Sequence, residues 1–169
     1  METLVREVED IFAPLGVRMD VGLPSKPGVA ATVVIRAHPA RPRITGCTRD
    51  RHDHRLAYTA LGSRRIVLWT DQTARAARGK WDSARPPRLG SRDMGRALGR
   101  VLAHELGHLV LGLTRHDSSG LMRASFRQGD LTGKRSESLG IAEEDVDKLR
   151  GRLARYLGAI DESSAAAHP

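Results

Sequence analysis

The sequence predicts a single α+β domain, and three patterns along the chain indicate this fold class. Apolar residues near the N-terminus recur at three- and four-residue steps, as in an amphipathic helix. Runs rich in β-branched residues follow and indicate strands. The second half carries two longer stretches with helical spacing. We therefore expect a mixed sheet of about four strands with an N-terminal, a long central and a C-terminal helix within residues 1–160, and a disordered tail over 161–169.

The first part of the chain is predicted to form a helix and two strands. Apolar residues from Leu4 to Leu15 define the helix, which is expected to end near the Pro14 to Gly16 segment. The alternating residues 17–21 predict a short strand. Residues 30–38, AATVVIRAH, give the most convincing pattern of a buried strand because they are rich in β-branched residues and contain neither Gly nor Pro. The breaker-rich residues 39–55 are interpreted as a surface loop.

The middle of the chain predicts a hairpin and then the central helix. Residues 56–62 and 64–70 are two short apolar runs joined by a Gly-Ser connection, which favours a β-hairpin. A helix is expected to begin just after this hairpin. Ser91 is a candidate N-cap for the long helix, which should end at about Gly112. Its wide apolar face predicts that it lies inside the domain.

The last part of the chain is predicted to be a loop followed by a helix. The loop runs from Leu113 to about Gly140, with a turn of helix expected after Phe126. The final helix, predicted over 141–160, has acidic residues at its start and basic residues towards its end. That charge distribution interacts favourably with the helix dipole and so stabilises the helix.

Composition narrows the possible function classes. Cys47 is the single cysteine, which excludes an internal disulfide and any multi-cysteine zinc site, so a metal would have to be held by His and carboxylates. No apolar run is long enough to span a membrane. The net charge of +8 comes mainly from scattered Arg without an aromatic platform, so we expect no nucleic acid partner. The N-terminus lacks a signal-peptide pattern, which favours a cytoplasmic location, although a secreted chain trimmed of its signal would look the same. We expect a monomer.

The stretch HELGH, within the long helix, is the strongest functional signal. His104 and His108 are four residues apart, so both project from one helix face and can reach one metal ion. Glu105 is offset by roughly 100° and would overhang the open side of that ion, where a general base is needed. Apolar residues flank the motif on both sides, and burying such polar groups without a partner costs several kcal/mol. A metal ion would remove this cost.

A catalytic zinc ion needs a third protein ligand and a vacant position for water. Gly112 offers a helix stop at which the chain can turn back. His116, four residues later, is the predicted third ligand. Its neighbour Asp117 and a carboxylate of the last helix, Glu143 or Glu144, are the alternatives.

The segment after the motif adds a resemblance to a known family. HDSSGLMRASF places Met122 in a tight turn six residues after His116, and Gly120 gives the backbone freedom to bend. With HELGH, the helix-ending glycine and the third histidine, this segment resembles the metzincin clan of zinc metallopeptidases over roughly residues 102–126. HELGHLVLG and HDSSGLMRASF also resemble small, largely uncharacterised bacterial proteins with HE(I/L)GHLLLG followed by HSxxGIMRA.

The chain departs from the usual clan pattern in spacing. H-E-x-x-H-x-x-G-x-x-H would place glycine at position 111 and histidine at 114, where this sequence has Leu111 and Thr114. Glycine therefore comes one residue later and histidine two residues later. A longer helix and a wider return loop are needed to absorb the shift.

The resemblance implies a mechanism and one Zn²⁺ ion. His104, His108 and His116 would hold the ion, and Glu105 would act as general base on a metal-activated water. Met122 would pack beneath the ligands without binding the metal. The substrate would be a peptide or protein that pairs with an edge strand. The predicted edge is the LAYTALG run, at Tyr58, Thr59 and Ala60.

Several other residues are site candidates. His52 and His54 flank Asp53 in a loop and could hold a second metal, although solvated loop residues are the simpler interpretation. Cys47 could block the zinc ion, and a half-exposed thiol is the simpler reading. Arg123 could anchor the methionine turn through carbonyls or Asp117.

We therefore expect a zinc metalloendopeptidase, with two alternative zinc proteins and, as a third rival, nucleic-acid binding through the Arg-rich surface. The first is a protein whose zinc ion contributes only to folding, against which Glu105 argues because a structural site needs no base. The second is a cytoplasmic regulator-cleaving HExxH protease. Those proteins usually show a Glu-Ala-x-x-Phe-Ala-like segment downstream, and nothing after Met122 matches it.

Overall fold

The computed structural model describes residues 1–19, 33–39, 55–81, 85–133 and 139–165. Within these ranges the chain forms five helices and one three-stranded mixed sheet, so the α+β class is confirmed with one strand fewer than predicted. The helices are α1 (Glu2–Phe12), α2 (Thr70–Arg78), α3 (Ser91–Leu111), α4 (Gln128–Thr132) and α5 (Val146–Ala165). The strands are β1 (Val34–His38), β2 (Ala57–Ala60) and β3 (Arg65–Trp69). None of the helices in the described ranges combines the length and apolarity that a bilayer span requires.

The sheet has the order β1-β3-β2, with β3 in the centre. β2 and β3 are antiparallel and joined through a 3-10 turn at Leu61–Ser63, which confirms the predicted hairpin. β1 runs parallel to β3. The inner face of the hairpin is buried on α3, with Ile66 and Leu68 almost fully enclosed. Residues 17–19 form no strand, so the strand predicted over 17–21 is wrong there, and its remainder lies outside the described residues.

β1 corrects a second prediction. All five of its residues are exposed, including Val34 at 41% and Ile35 at 38%, whereas the sequence predicts a buried strand here. Among the described strands, β1 pairs with β3 alone and lies at the edge of the sheet. α3 packs beneath β2 and β3, so no described helix covers β1 to a comparable extent. β-branched residues favour a strand, but burial depends on what packs over it.

α3 occupies the centre of the domain and is mostly buried. It begins at Ser91, but Gly90 rather than Ser91 is the N-cap and no side chain caps the helix. α1 crosses it at a small residue: a Cβ on Gly99 would lie 2.7 Å from the Leu4 carbonyl oxygen. The close approach of α1 therefore requires glycine at this position, because a larger side chain would push the two helices apart.

A buried charge network ties α1, α3 and α4 together. The Glu7 carboxylate accepts hydrogen bonds from Arg96 Nε at 3.1 Å and from Arg100 Nε at 3.0 Å. The other guanidinium nitrogens of Arg100 donate to the carbonyl oxygens of Asp130 at 2.7 Å and Gly133 at 2.9 Å. The Arg100 side chain is fully buried, so these partners replace the water it loses.

α5 closes the C-terminal end of α3. A 3-10 turn at Glu143–Asp145 precedes α5, and Arg152 donates to the Leu111 carbonyl oxygen at 3.1 Å. That bond satisfies one of the carbonyls left open at the end of a helix. α5 continues through residues 161–165, which the sequence assigns to a disordered tail; the remaining four residues lie outside the described ranges.

Candidate metal centre

α3 presents two of the predicted ligands side by side. His104 and His108 lie one turn apart, and their Nε2 atoms are 3.1 Å from each other. His104 is 6% exposed, whereas His108 is half-buried. One imidazole therefore lies on the core side of the pair and the other nearer to solvent.

The end of α3 turns the chain back towards the histidines. Gly112 adopts a left-handed conformation with φ of 61°, and its N–H donates to the Gly107 carbonyl oxygen. The Leu113 N–H donates to the same oxygen at 3.2 Å. The Leu113 carbonyl oxygen then accepts a hydrogen bond from His108 Nδ1. The glycine stop thus supplies both the reversal and an acceptor that orients one ligand.

The loop after this reversal brings in the third histidine. His116 Nε2 lies 3.2 Å from His108 Nε2, and one nitrogen of each of the three rings lies within 4.8 Å of the others. Two backbone bonds close the loop behind His116: Asp117 N–H donates to the Met122 carbonyl oxygen at 2.7 Å, and Ala124 N–H to the Asp117 carbonyl oxygen at 3.1 Å. His116 is thus carried by a short closed segment.

The hydrogen bonds of the rings fix which nitrogens face the centre. His104 Nδ1 donates to the Leu121 carbonyl oxygen at 2.8 Å, and His108 Nδ1 donates to that of Leu113. A carbonyl oxygen only accepts, so the proton of each neutral ring is on Nδ1 and each Nε2 carries a lone pair. Lone pairs 3.1 Å apart repel unless a cation lies between them. Nitrogens bound to one tetrahedral zinc ion are about 3.3 Å apart, so the donor set fits a divalent cation.

The structure also answers which residue completes the cluster. His104, His108 and His116 form the only potential metal-binding group found among the described residues. Asp117, Glu143 and Glu144 do not belong to it and are exposed. His116 is therefore the third member of the cluster, as the sequence predicts.

The methionine turn packs against α3 between the two helical histidines. Met122 is 4% exposed, and its Sδ lies 2.6 Å from the position that a Cβ on Gly107 would occupy. Gly107 therefore leaves the space that the thioether fills. Gly120 has a φ of 69°, in the left-handed region, which agrees with the predicted need for glycine in this turn.

Arg123 anchors this turn to α4. Its guanidinium contacts the Asp130 carboxylate at 2.6 Å, so its charged partner is Asp130 rather than Asp117, which is one of the partners that the sequence predicts. The same carboxylate accepts the Arg127 N–H at 2.7 Å at the start of α4. The carbonyl oxygen of Asp130 also accepts a hydrogen bond from Arg100. The buried charge network therefore extends to the segment that carries the third histidine.

Glu105 lies beside the histidine cluster on the same helix and is 9% exposed. Burial raises the pKa of its carboxyl group, while a hydrogen bond from Thr59 Oγ1 and the charge of His108 act in the opposite direction. Thr59 Oγ1 donates to Oε2 of Glu105. A raised pKa makes a carboxylate a better proton acceptor near neutral pH.

Among the described strands β2 lies at an edge of the sheet, as predicted, but its three named residues differ in orientation. Thr59 projects from the inner face towards Glu105, whereas Tyr58 projects from the other face and is 53% exposed. Ala60 is half-buried at the end of the strand. Thr59 is therefore the residue of this strand that reaches the site.

Sequence reasoning missed two contacts at the centre. The Phe126 ring packs edge-to-face on His104 with centroids 5.5 Å apart, and an aromatic residue ten positions after a ligand gives no spacing signal. The Thr59 contact with Glu105 joins residues 46 positions apart. Cys47, His52 and His54 lie outside the described residues.

This chain was compared with three sets of known proteins. Neither the protein-family models, nor the curated proteins, nor the solved structures give a match. The centre is therefore interpreted from its own residues.

The buried imidazole makes the metal-free protein sensitive to acid. Burial, with smaller contributions from His108 and His116, lowers the pKa of His104 from 6.5 to about 4 despite the hydrogen bond to Leu121. Between these values the unfolded chain binds a proton that the folded chain does not, so stability falls as pH falls. We expect a loss of about 2 kcal/mol in unfolding free energy from about pH 7.5 to about pH 5.

This expectation is checked by urea unfolding of the metal-free protein at the two pH values, with His104→Gln as the matched control. The variant lacks the titrating ring and should lose about 2 kcal/mol less over the same interval. Equal losses in the two proteins would contradict the assignment.

Proposed function

We propose that this protein is a zinc-dependent metallopeptidase, with His104, His108 and His116 as zinc ligands and Glu105 as general base. One observation carries the proposal: the Nε2 sides of three imidazoles converge, and a buried glutamate that does not belong to this cluster lies next to it. Three protein ligands and an open fourth position are typical of catalytic zinc sites. Among the described residues, no fourth His, Cys, Asp or Glu joins the cluster.

The proposed roles follow from the chemistry of the groups. A bound zinc ion supplies a Lewis acid that polarises a peptide carbonyl and lowers the pKa of water. Glu105 accepts a proton from the attacking water and later donates it to the leaving amine. Leu121 and Leu113 orient the His104 and His108 rings through their carbonyl oxygens. Loss of such a partner outside the ligand set typically costs about 10- to 100-fold in metal affinity or activity.

The position of β2 at an edge of the sheet, as far as the described strands show, supports an extended peptide as substrate. Trp69 N–H donates to the Leu56 carbonyl oxygen at 2.9 Å, which marks this pair as hydrogen-bonded. Hydrogen-bonded pairs alternate along an antiparallel ladder, so the main-chain N–H and C=O groups of Tyr58 and Ala60 also point to β3. The main-chain groups of Thr59 point away from it. A peptide lying along β2 would pair with these groups close to Glu105.

The likeness to metzincins forms part of the same proposal. The order of long helix, glycine stop, third histidine and methionine turn supports it. The displaced glycine and histidine are accommodated by a reversal at Gly112 and a closed loop from Asp117 to Ala124. A non-catalytic zinc protein explains the cluster equally well but gives no reason for burying Glu105 beside it.

Metal removal tests the proposal. The chelator-treated full chain should hydrolyse none of a set of unstructured peptides, and one equivalent of Zn²⁺ should restore hydrolysis together with protection against unfolding. Peptide products are followed by mass spectrometry and zinc by atomic absorption. Stoichiometric zinc binding without any hydrolysis would favour the non-catalytic alternative, and absence of zinc binding would contradict both.

A further inference from the structure

We propose that Thr59 is a positioning residue for Glu105: its hydroxyl holds the carboxylate in one orientation and links this group to the edge of the sheet. The inference rests on the proposed function and adds a residue from β2 to a site otherwise built by α3 and the following loop. The observation that carries it is the hydrogen bond from Thr59 Oγ1 to Glu105 Oε2.

The backbone places the Thr59 side chain with little freedom. Thr59 is paired in register with Ile66, which is fully buried, so its side chain lies on the inner face of the sheet against α3. It is itself half-buried. A β-branched side chain in a strand has few accessible χ1 rotamers. The hydroxyl is therefore delivered to Glu105 by a strand and a rotamer that are both restricted.

Glu105 needs such a partner because its own side chain has three rotatable bonds. Within the described ranges, Thr59 is the only side chain shown to donate a hydrogen bond to its carboxylate. With Oε2 engaged, the second carboxylate oxygen is left to accept a proton. A base held in one orientation loses less entropy on reaching the transition state than a base that samples several.

Thr59 also connects this base to the proposed substrate edge. Its main-chain groups face away from β3, whereas its hydroxyl faces α3. A peptide that pairs with the main chain of Thr59 would fix the strand from which the hydroxyl projects. Peptide binding and orientation of the base therefore meet in a single residue.

Two variants of Thr59 test the proposal in the zinc-loaded full chain. Thr59→Val keeps the shape and removes the hydroxyl, and we expect kcat to fall about 10-fold or more with KM changed by less than about 3-fold. Thr59→Ser restores the hydroxyl and should recover most of kcat. Thr132→Val is the matched control, because the Thr132 hydroxyl bonds to Gln128 within α4. Zinc content and melting temperature are measured for all four proteins.

Crystal structures of the zinc-loaded wild type and Thr59→Val give a readout that does not need turnover. We expect one Glu105 conformer in the wild type and more than one in the variant. Unchanged kcat in Thr59→Val, no recovery in Thr59→Ser, or one and the same Glu105 conformer in both structures would overturn the role of Thr59. If the wild type hydrolyses no peptide, the proposed function fails, while the Glu105 conformers still decide whether Thr59 positions it.

Discussion

Replacing Glu105 with Gln is expected to lower kcat for peptide hydrolysis by about 10²- to 10⁴-fold, the range typical of removing a general base. Gln has almost the same shape and cannot accept the proton from water. Zinc binding should be retained at one ion per chain, because the three histidines and the carbonyls that orient two of them are untouched. Steady-state kinetics and metal analysis on the same preparations check both expectations.

Glu144→Gln is the matched control for this experiment. It makes the same chemical change at an exposed glutamate that the sequence offered as an alternative third ligand and that the structure keeps out of the histidine cluster. Its kcat and zinc content should equal those of the wild type. A Glu105→Gln protein that keeps full activity would remove the general base from the mechanism, and loss of zinc in Glu144→Gln would return that residue to the ligand set.

Arg100→Met is expected to destabilise the fold by about 3–5 kcal/mol, the cost typical of breaking a buried ion pair by removing one partner. The change leaves the buried Glu7 carboxylate with Arg96 alone and removes the donors to the Asp130 and Gly133 carbonyl oxygens. For a chain of this size the melting temperature should fall by about 6–20 °C. Urea and thermal unfolding measure the loss.

Two further variants separate charge from packing in this network. Arg155→Met makes the same substitution at an exposed position of α5 and should change stability by less than about 0.5 kcal/mol. Combining Glu7→Gln with Arg100→Met completes a double-mutant cycle: both changes remove the same ion pair, so their combined loss of stability should be smaller than the sum of the two single losses. A loss below about 1 kcal/mol in Arg100→Met would show that the network contributes little.

Much of the fold could be predicted because the elements obey local rules. The helical apolar spacing of α1 and α3, the left-handed Gly112 and the short hairpin connection are all properties of neighbouring residues. The burial of β1 could not be predicted, because burial depends on elements distant in the sequence. Its β-branched composition correctly indicates a strand, but its exposure depends on α3 lying under the other two strands.

The candidate metal centre likewise combines residues that local geometry places and residues that only the tertiary structure places. His104, Glu105 and His108 share one helical turn, so their arrangement follows from helix geometry alone. His116 follows a reversal whose width the sequence does not determine, which is why carboxylates remained alternatives. The partners that orient these groups are carbonyl oxygens and the distant Thr59 hydroxyl. Every residue has a backbone carbonyl, so the sequence gives no signal for which of them accepts a hydrogen bond from a histidine.

The all-nitrogen character of the donor set has a consequence for metal competition in the cell. Imidazole binds several late transition metals, and sites without geometric discrimination follow the Irving–Williams order, in which copper(II) exceeds both nickel(II) and zinc(II). Nothing in three converging rings reverses that order. Which metal is loaded would then be governed by supply during synthesis rather than by intrinsic selectivity, and traces of copper would act as a competitor for this protein.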